Sequence, residues 1–73
     1  MANDPKTHLK EMADRGQLPP VSYSTERHGG TEHQPGWTAL ASLPDGRTAQ
    51  GVGRSKVEAE QDAAAALMQK HRI

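Results

Sequence analysis

The chain has 73 residues, a mass of 7.9 kDa and no cysteine. A chain of this length buries only roughly 60% of its unfolded surface, so we expect residues 1–73 to form a single domain without disulfides, thiol nucleophiles or cysteine-bound zinc. Nine basic and nine acidic residues cancel, so any attraction to phosphate must come from local clusters of charge and not from net charge.

The first predicted element is a short amphipathic helix over about residues 4–15. Asp4 is expected to cap the free amides, and Pro5 suits the first turn because its missing N–H needs no partner there. Gly16 is a typical helix stop. An apolar stripe recurs at helical spacing and predicts the buried face of this helix: Leu9, Met12 and Ala13.

Three strands are predicted next, over about residues 20–27, 36–43 and 47–53. In the second strand apolar residues recur at every second position, which indicates a half-buried strand: Trp37, Ala39, Ala41 and Leu43. The stretch at residues 44–47, Pro-Asp-Gly-Arg, is typical of a tight turn and predicts a hairpin between the second and third strands. We expect the sheet face that carries serine and threonine to be solvated.

The last predicted element is a helix over about residues 55–71. Ser55 and Glu58 have the spacing of a capping box, in which each side chain accepts a backbone N–H at the helix start. Small and apolar residues at helical spacing would let this helix lie close to the sheet: Ala59, Ala63, Ala66 and Leu67. The predicted fold class is α+β with the order α-β-β-β-α, in which both helices pack on one face of a three-stranded antiparallel sheet.

Four segments carry motifs that occur together in one known family. They are Asp-Pro-Lys-Thr-His-Leu-Lys-Glu at 4–11, Pro-Val-Ser-Tyr at 20–23, Gly-Thr-Glu-His at 30–33 followed by Trp37, and residues 51–67. The last segment matches a Gly-x-Gly-x-Ser-Lys-Lys-x-Ala signature with an Ala-Ala-x-x-Ala-Leu tail. In this order and spacing they resemble the double-stranded RNA-binding domain, most closely the C-terminal domain of bacterial ribonuclease III.

The resemblance implies non-catalytic binding of double-stranded RNA by its A-form shape, largely independent of base sequence. An A-form duplex exposes 2′-hydroxyls in a shallow minor groove and hides its base edges in a deep major groove. By resemblance, the first helix contacts one minor groove, the first loop contacts the next, and the start of the second helix contacts phosphates between them. The implied RNA-binding residues are Thr7, Lys10, Glu11, His33, Gln34, Arg54, Ser55 and Lys56.

The sequence departs from the family pattern at three positions. Val57 replaces the second lysine of the signature, Glu60 replaces a further lysine that is common in strong binders, and Thr31 stands where proline is typical. Glu60 followed by glutamine is nevertheless usual in the ribonuclease III branch. Residues 54–62 contain two cations and three anions, so we expect modest RNA affinity, with Glu58 and Glu60 repelling phosphate.

Two less specific interpretations remain open at this point. Without the resemblance, Ser55 and Lys56 fit an ordinary helix start, and Thr7 and Glu11 fit a solvated helix face. The alternative function is a domain of the same fold that acts as a protein–protein interaction or dimerisation module with weak RNA affinity. The neutral net charge and Val57 are compatible with that alternative.

Several function classes are not expected for this chain. It has no nuclease signature, nucleophile elbow or phosphate-cradling loop, and its histidines lack zinc-site spacing, so we expect no catalytic residues, cofactor or metal. It can still be an accessory domain of a ribonuclease III-like enzyme. No apolar stretch approaches the ~20 residues of a membrane span, and no signal peptide follows Met1, so we expect a cytoplasmic protein without membrane contact.

Overall fold

Two helices enclose three consecutive strands in the chain order. The structure is a computed structural model that describes residues 4–28 and 36–73. Its elements are α1 (Pro5–Asp14), β1 (Ser22–Arg27), β2 (Trp37–Ser42), β3 (Thr48–Gly53) and α2 (Lys56–His71). The predicted α-β-β-β-α order is confirmed, and every element begins and ends within two residues of its predicted bounds.

Both ends of α1 follow the sequence signals. The carboxylate of Asp4 accepts the backbone N–H of Thr7 at 2.8 Å, and this hydrogen bond lowers the pKa of Asp4. At the other end Gly16 has a φ of +75°, a left-handed conformation that glycine adopts without a steric penalty. The amides of Gly16 and of the next residue then bond to carbonyls of the last turn, which satisfies two of the terminal acceptors.

The three strands form one antiparallel sheet in the order β1-β2-β3. The predicted β2–β3 hairpin is present, with Gly46 at a φ of +99°. Its turn is fixed by Asp45, whose carboxylate accepts the backbone N–H of Arg47 at 3.1 Å and the side-chain Nε of Arg47 at 2.9 Å. Both hydrogen bonds lower the pKa of Asp45, and the bond from the Arg47 side chain has the larger effect.

The buried core is made of aliphatic side chains. Among the described residues, the buried apolar side chains are all alanine or leucine: Leu9, Leu18, Ala39, Ala41, Leu43, Ala49, Ala59, Ala63, Ala64 and Leu67. The predicted alternation along β2 is therefore confirmed, although Trp37 is only partly buried. On α2, Ala64 is fully buried, whereas Ala66 of the predicted apolar stripe is only partly buried.

Two glycines of β3 allow α2 to lie directly on the sheet. An added Cβ at Gly51 would overlap the backbone nitrogen of Ala63, and one at Gly53 would lie 2.5 Å from the backbone nitrogen of Ala59. Neither position tolerates a side chain unless the helix moves away. The Gly-x-Gly part of the family signature therefore serves helix–sheet packing in this fold.

The outer edge of β3 is covered by polar side chains of α2. The carboxylate of Asp62 accepts the backbone N–H of Val52 at 2.9 Å, and the carbonyl of Thr48 lies 3.1 Å from Lys70 Nζ and 3.2 Å from His71 Nε2. Such contacts occupy backbone groups that an edge strand otherwise leaves unpaired. Within the described residues, no helix combines the length and apolar character that crossing a membrane requires.

Candidate nucleic-acid interface

One exposed polar surface lies on α1. Because Leu9 is buried, positions 7, 10 and 11 fall on the other side of the helix, where Thr7 and Lys10 are exposed. Both residues line a groove of about 560 Å³ between α1 and β1. Glu11, one turn along from Thr7, forms a 3.9 Å ion pair with Arg15. We call the surface of Thr7, Lys10 and Glu11 the α1 face.

A second exposed polar surface is the start of α2. Arg54, Ser55 and Lys56 are all exposed there, and Ser55 is the N-cap, with its Oγ accepting the N–H of Glu58 at 3.2 Å. The first turn of a helix presents amides without helical partners and the positive end of the helix dipole. An anion at this point is therefore stabilised by backbone groups before any side chain contributes. We call residues 54–56 the α2 start.

The predicted capping box is present only in part. Ser55 accepts the N–H of Glu58 as predicted, but the carboxylate of Glu58 accepts the N–H of Arg54 at 2.9 Å, not that of Ser55. Glu58 bonds to Arg54 because Arg54 directly follows β3. Its N–H points to the same outer edge as the N–H of Val52, two residues earlier. Glu58 therefore extends the edge contacts that Asp62 makes with Val52.

The three acidic residues near the α2 start all have partners inside the domain. Glu58 and Asp62 bond to edge amides of β3, and Glu60 forms an ion pair with Lys6 at 2.6 Å. The side chain of Glu60 is only 13% exposed. The expected repulsion of phosphate by Glu60 is therefore reduced, because its charge is offset by a cation and directed toward α1.

Sequence reasoning missed a polar cluster between α1, α2 and β1. Lys6 Nζ binds Glu60 and lies 5.0 Å from the ring centre of Tyr23, while the backbone N–H of Lys6 donates to Gln61 Oε1 at 3.0 Å. Burial, and then the charge of Glu60, raises the pKa of Tyr23. The sequence does contain a signal for this cluster. Lys6 lies one turn before the buried Leu9, so it is a charged residue on the otherwise apolar side of α1.

The remaining sequence predictions concern the first loop, the missing lysine and a metal site. His33 and Gln34 lie outside the described residues. Val57, at the position of the missing lysine, is 61% exposed and next to the α2 start. Among residues 4–28 and 36–73, no group of three or more histidine, aspartate or glutamate side chains is arranged to hold a metal ion.

Comparison with known proteins assigns this arrangement to a family. The family model of the double-stranded RNA binding motif matches residues 5–71, from the start of α1 to the end of α2. The chain belongs to this family. The RNA-binding motif of this chain is also 46% identical over 68 residues to ribonuclease 3 of Ruegeria pomeroyi, and 43% identical over 67 residues to ribonuclease 3 of Dinoroseobacter shibae.

Each of these two matches covers 92% of this chain but only 29–30% of the relative's length. Ribonuclease 3 of Mesorhizobium japonicum gives the same picture, with 40% identity over 65 residues, 89% of this chain and 29% of the relative. The resemblance to the C-terminal RNA-binding domain of bacterial ribonuclease III is therefore confirmed. The matched part is a binding motif, and most of each relative's length has no counterpart here.

Proposed function

We propose that this domain is a non-catalytic, cytoplasmic module that binds double-stranded RNA by its A-form shape, largely independent of base sequence. The observation that carries the proposal is the α2 start, where Arg54 and Lys56 are exposed beside the free amides of a helix N-terminus. The family match supports RNA as the source of the anions. In this role Lys56 and Arg54 contact phosphates across the major groove, with Ser55 holding the first turn.

The α1 face supplies the second contact in this proposal. The Thr7 hydroxyl and the Lys10 ammonium can donate hydrogen bonds, and the Thr7 hydroxyl and the Glu11 carboxylate can accept them. A 2′-hydroxyl is both a donor and an acceptor, so this mixed surface suits a minor groove of RNA. His33 and Gln34 are assigned to the neighbouring minor groove by resemblance, in a duplex footprint of about 16 base pairs.

A second candidate function is a protein-interaction or dimerisation module, and one observation favours it. Val57 is 61% exposed, and on the solvated face of the sheet Val52 is 52% and Leu40 36% exposed. Val57 lies on α2 and the other two side chains on the sheet, so they belong to different elements. Single exposed apolar residues are common on protein surfaces, so the RNA-binding function is the better supported.

Two substitutions in the first turn of α2 test the phosphate contact. Val57→Lys should tighten binding to a duplex of about 20 base pairs several-fold, and it should steepen the slope of log affinity against log salt by about one unit, since each neutralised phosphate releases counterions. Lys56→Ala should weaken binding and flatten the slope by a similar amount. Fluorescence anisotropy at three salt concentrations measures both quantities.

The same pair of variants distinguishes the two functions. Because Lys56 and Val57 are exposed, both proteins should melt close to the wild-type temperature, and circular dichroism checks this. If Val57 instead contacts a protein, Val57→Lys should leave RNA affinity unchanged and reduce self-association in sedimentation. Unchanged RNA affinity in both variants would rule out a phosphate site at the α2 start.

A further inference from the structure

The two proposed RNA surfaces lie on different helices. An A-form duplex has a fixed spacing between its minor groove and the neighbouring phosphates. A domain that binds both at once must therefore hold its contacting side chains at a matching spacing. Thr7 and Lys10 lie on α1, and Lys56 lies on the first turn of α2. The relative position of α1 and α2 therefore determines whether both surfaces can contact one duplex at once.

Lys6 makes two polar contacts that join α1 to α2. Lys6 uses its ammonium to bind the Glu60 carboxylate at 2.6 Å and its backbone N–H to bind Gln61 Oε1 at 3.0 Å. It directly precedes Thr7, and Glu60 follows Lys56 by one helical turn. Both ends of this connection are thus adjacent to a proposed RNA contact.

The surroundings make this connection more restrictive than a surface ion pair. The side chains of Lys6 and Glu60 are only 32% and 13% exposed, and the Lys6 ammonium also lies over the ring of Tyr23. Partial burial reduces screening by salt, and three partners on two further elements limit the conformations that the lysine can adopt. The contact therefore fixes α1 more tightly than an exposed pair of long side chains would.

We propose that Glu60 is a positioning residue for RNA binding, which acts through Lys6 to hold the α1 face in register with the α2 start. This inference rests on the proposed RNA-binding function. It assigns a favourable role to a glutamate that sequence reasoning treats as a substituted lysine that repels phosphate. Glu60 does not contact RNA in this role.

The positioning role and the charge effect predict opposite signs for Glu60→Ala. If charge alone matters, the substitution removes an anion near phosphate and releases Lys6 as a free cation, so RNA affinity should rise. If Glu60 positions α1, affinity should fall about three- to ten-fold, which is the loss expected when about one hydrogen bond is no longer formed. Anisotropy titration of one RNA duplex, well below both melting temperatures, measures the sign.

Asp62→Ala provides a matched control on the same helix. It also removes one carboxylate from α2, but Asp62 bonds to β3 and not to α1, so RNA affinity should stay equal or rise. Glu60→Gln, which removes the charge but keeps an oxygen that can accept a hydrogen bond from Lys6, should bind RNA within about two-fold of wild type. This variant keeps a contact between the helices if Glu60→Ala fails to fold.

The outcomes separate this inference from the function on which it rests. Equal or tighter binding by Glu60→Ala overturns the positioning role, as does a Glu60→Gln protein that folds but binds no better than Glu60→Ala. If these results occur while Lys56→Ala still weakens binding, the RNA-binding function stands without the positioning role. If the wild type fails to bind duplex RNA, both are overturned.

Discussion

Replacing Gly51 with alanine is expected to destabilise the protein strongly. The added methyl group would overlap the backbone of Ala63, and neither a strand nor a helix backbone can yield as a flexible side chain does. Overpacking of a core typically costs about 1–3 kcal/mol or more. A cysteine-free domain of this size has a total free energy of unfolding of only about 3–5 kcal/mol. The substitution would therefore remove a large part of that stability.

The melting temperature of Gly51→Ala, followed by circular dichroism, should therefore fall by roughly 10–20 °C, at about 4–8 °C per kcal/mol for a small domain. Gly36→Ala is the matched control, because its added Cβ meets no atom of the described residues closer than 3.9 Å and its φ does not require glycine. The control should melt near the wild-type temperature. A Gly51→Ala protein that melts within about 3 °C of wild type would contradict the close contact between α2 and β3.

Duplex RNA is expected to bind at least about ten-fold more tightly than a DNA duplex of the same length and sequence at moderate salt. The difference corresponds to losing one or two hydrogen bonds to 2′-hydroxyls at the α1 face, together with the poorer fit of B-form groove spacing. Phosphate contacts at the α2 start are common to both duplexes and carry no such discrimination.

Competition titration with the two duplexes measures this ratio directly. Two RNA duplexes of different base sequence serve as controls, and their affinities should agree closely, since the proposed contacts avoid base edges. Equal affinity for RNA and DNA would mean that the domain binds phosphate without reading shape. In that case the α2 start could remain a contact, but the proposed role of Thr7, Lys10 and Glu11 would be wrong.

The parts of the fold that sequence predicted are those governed by local signals. Asp4 and Ser55 cap the helices where predicted because a cap involves residues only three apart. The alternation of Ala39 and Ala41 and the turn at Gly46 likewise depend on near neighbours. Patterns of period two and of about 3.6 residues were sufficient to place these elements.

The parts that sequence did not predict depend on contacts between distant residues. Lys6 and Glu60 are 54 positions apart, so their pairing could not be inferred from spacing, although each is a charged residue beside a buried stripe. A complete capping box would pair the carboxylate of Glu58 with the N–H of Ser55, yet the carboxylate bonds to Arg54 because the edge of β3 offers a competing amide. As a result, the carboxylates of Glu58 and Glu60 near the α2 start are bonded to groups inside the domain.

The family signature combines residues with different physical roles. Gly51 and Gly53 allow α2 to approach β3 and have no side chain that could bind RNA. Ser55 caps the helix, and only Arg54 and Lys56 present free cations at this point. A match to the signature therefore indicates the fold more strongly than it indicates affinity, which depends on the few exposed charges.

The most direct test of the proposed interface is an amide chemical-shift titration of the isotope-labelled domain with a duplex RNA of about 20 base pairs. The proposed interface predicts that the largest shifts occur together at Thr7, Lys10 and Glu11 of the α1 face and at residues 54–56 of the α2 start. The solvated sheet face, represented by Ser24, Leu40 and Gln50, should remain nearly unchanged. Shifts concentrated on that sheet face, with the α1 face and the α2 start unaffected, would contradict the proposed interface.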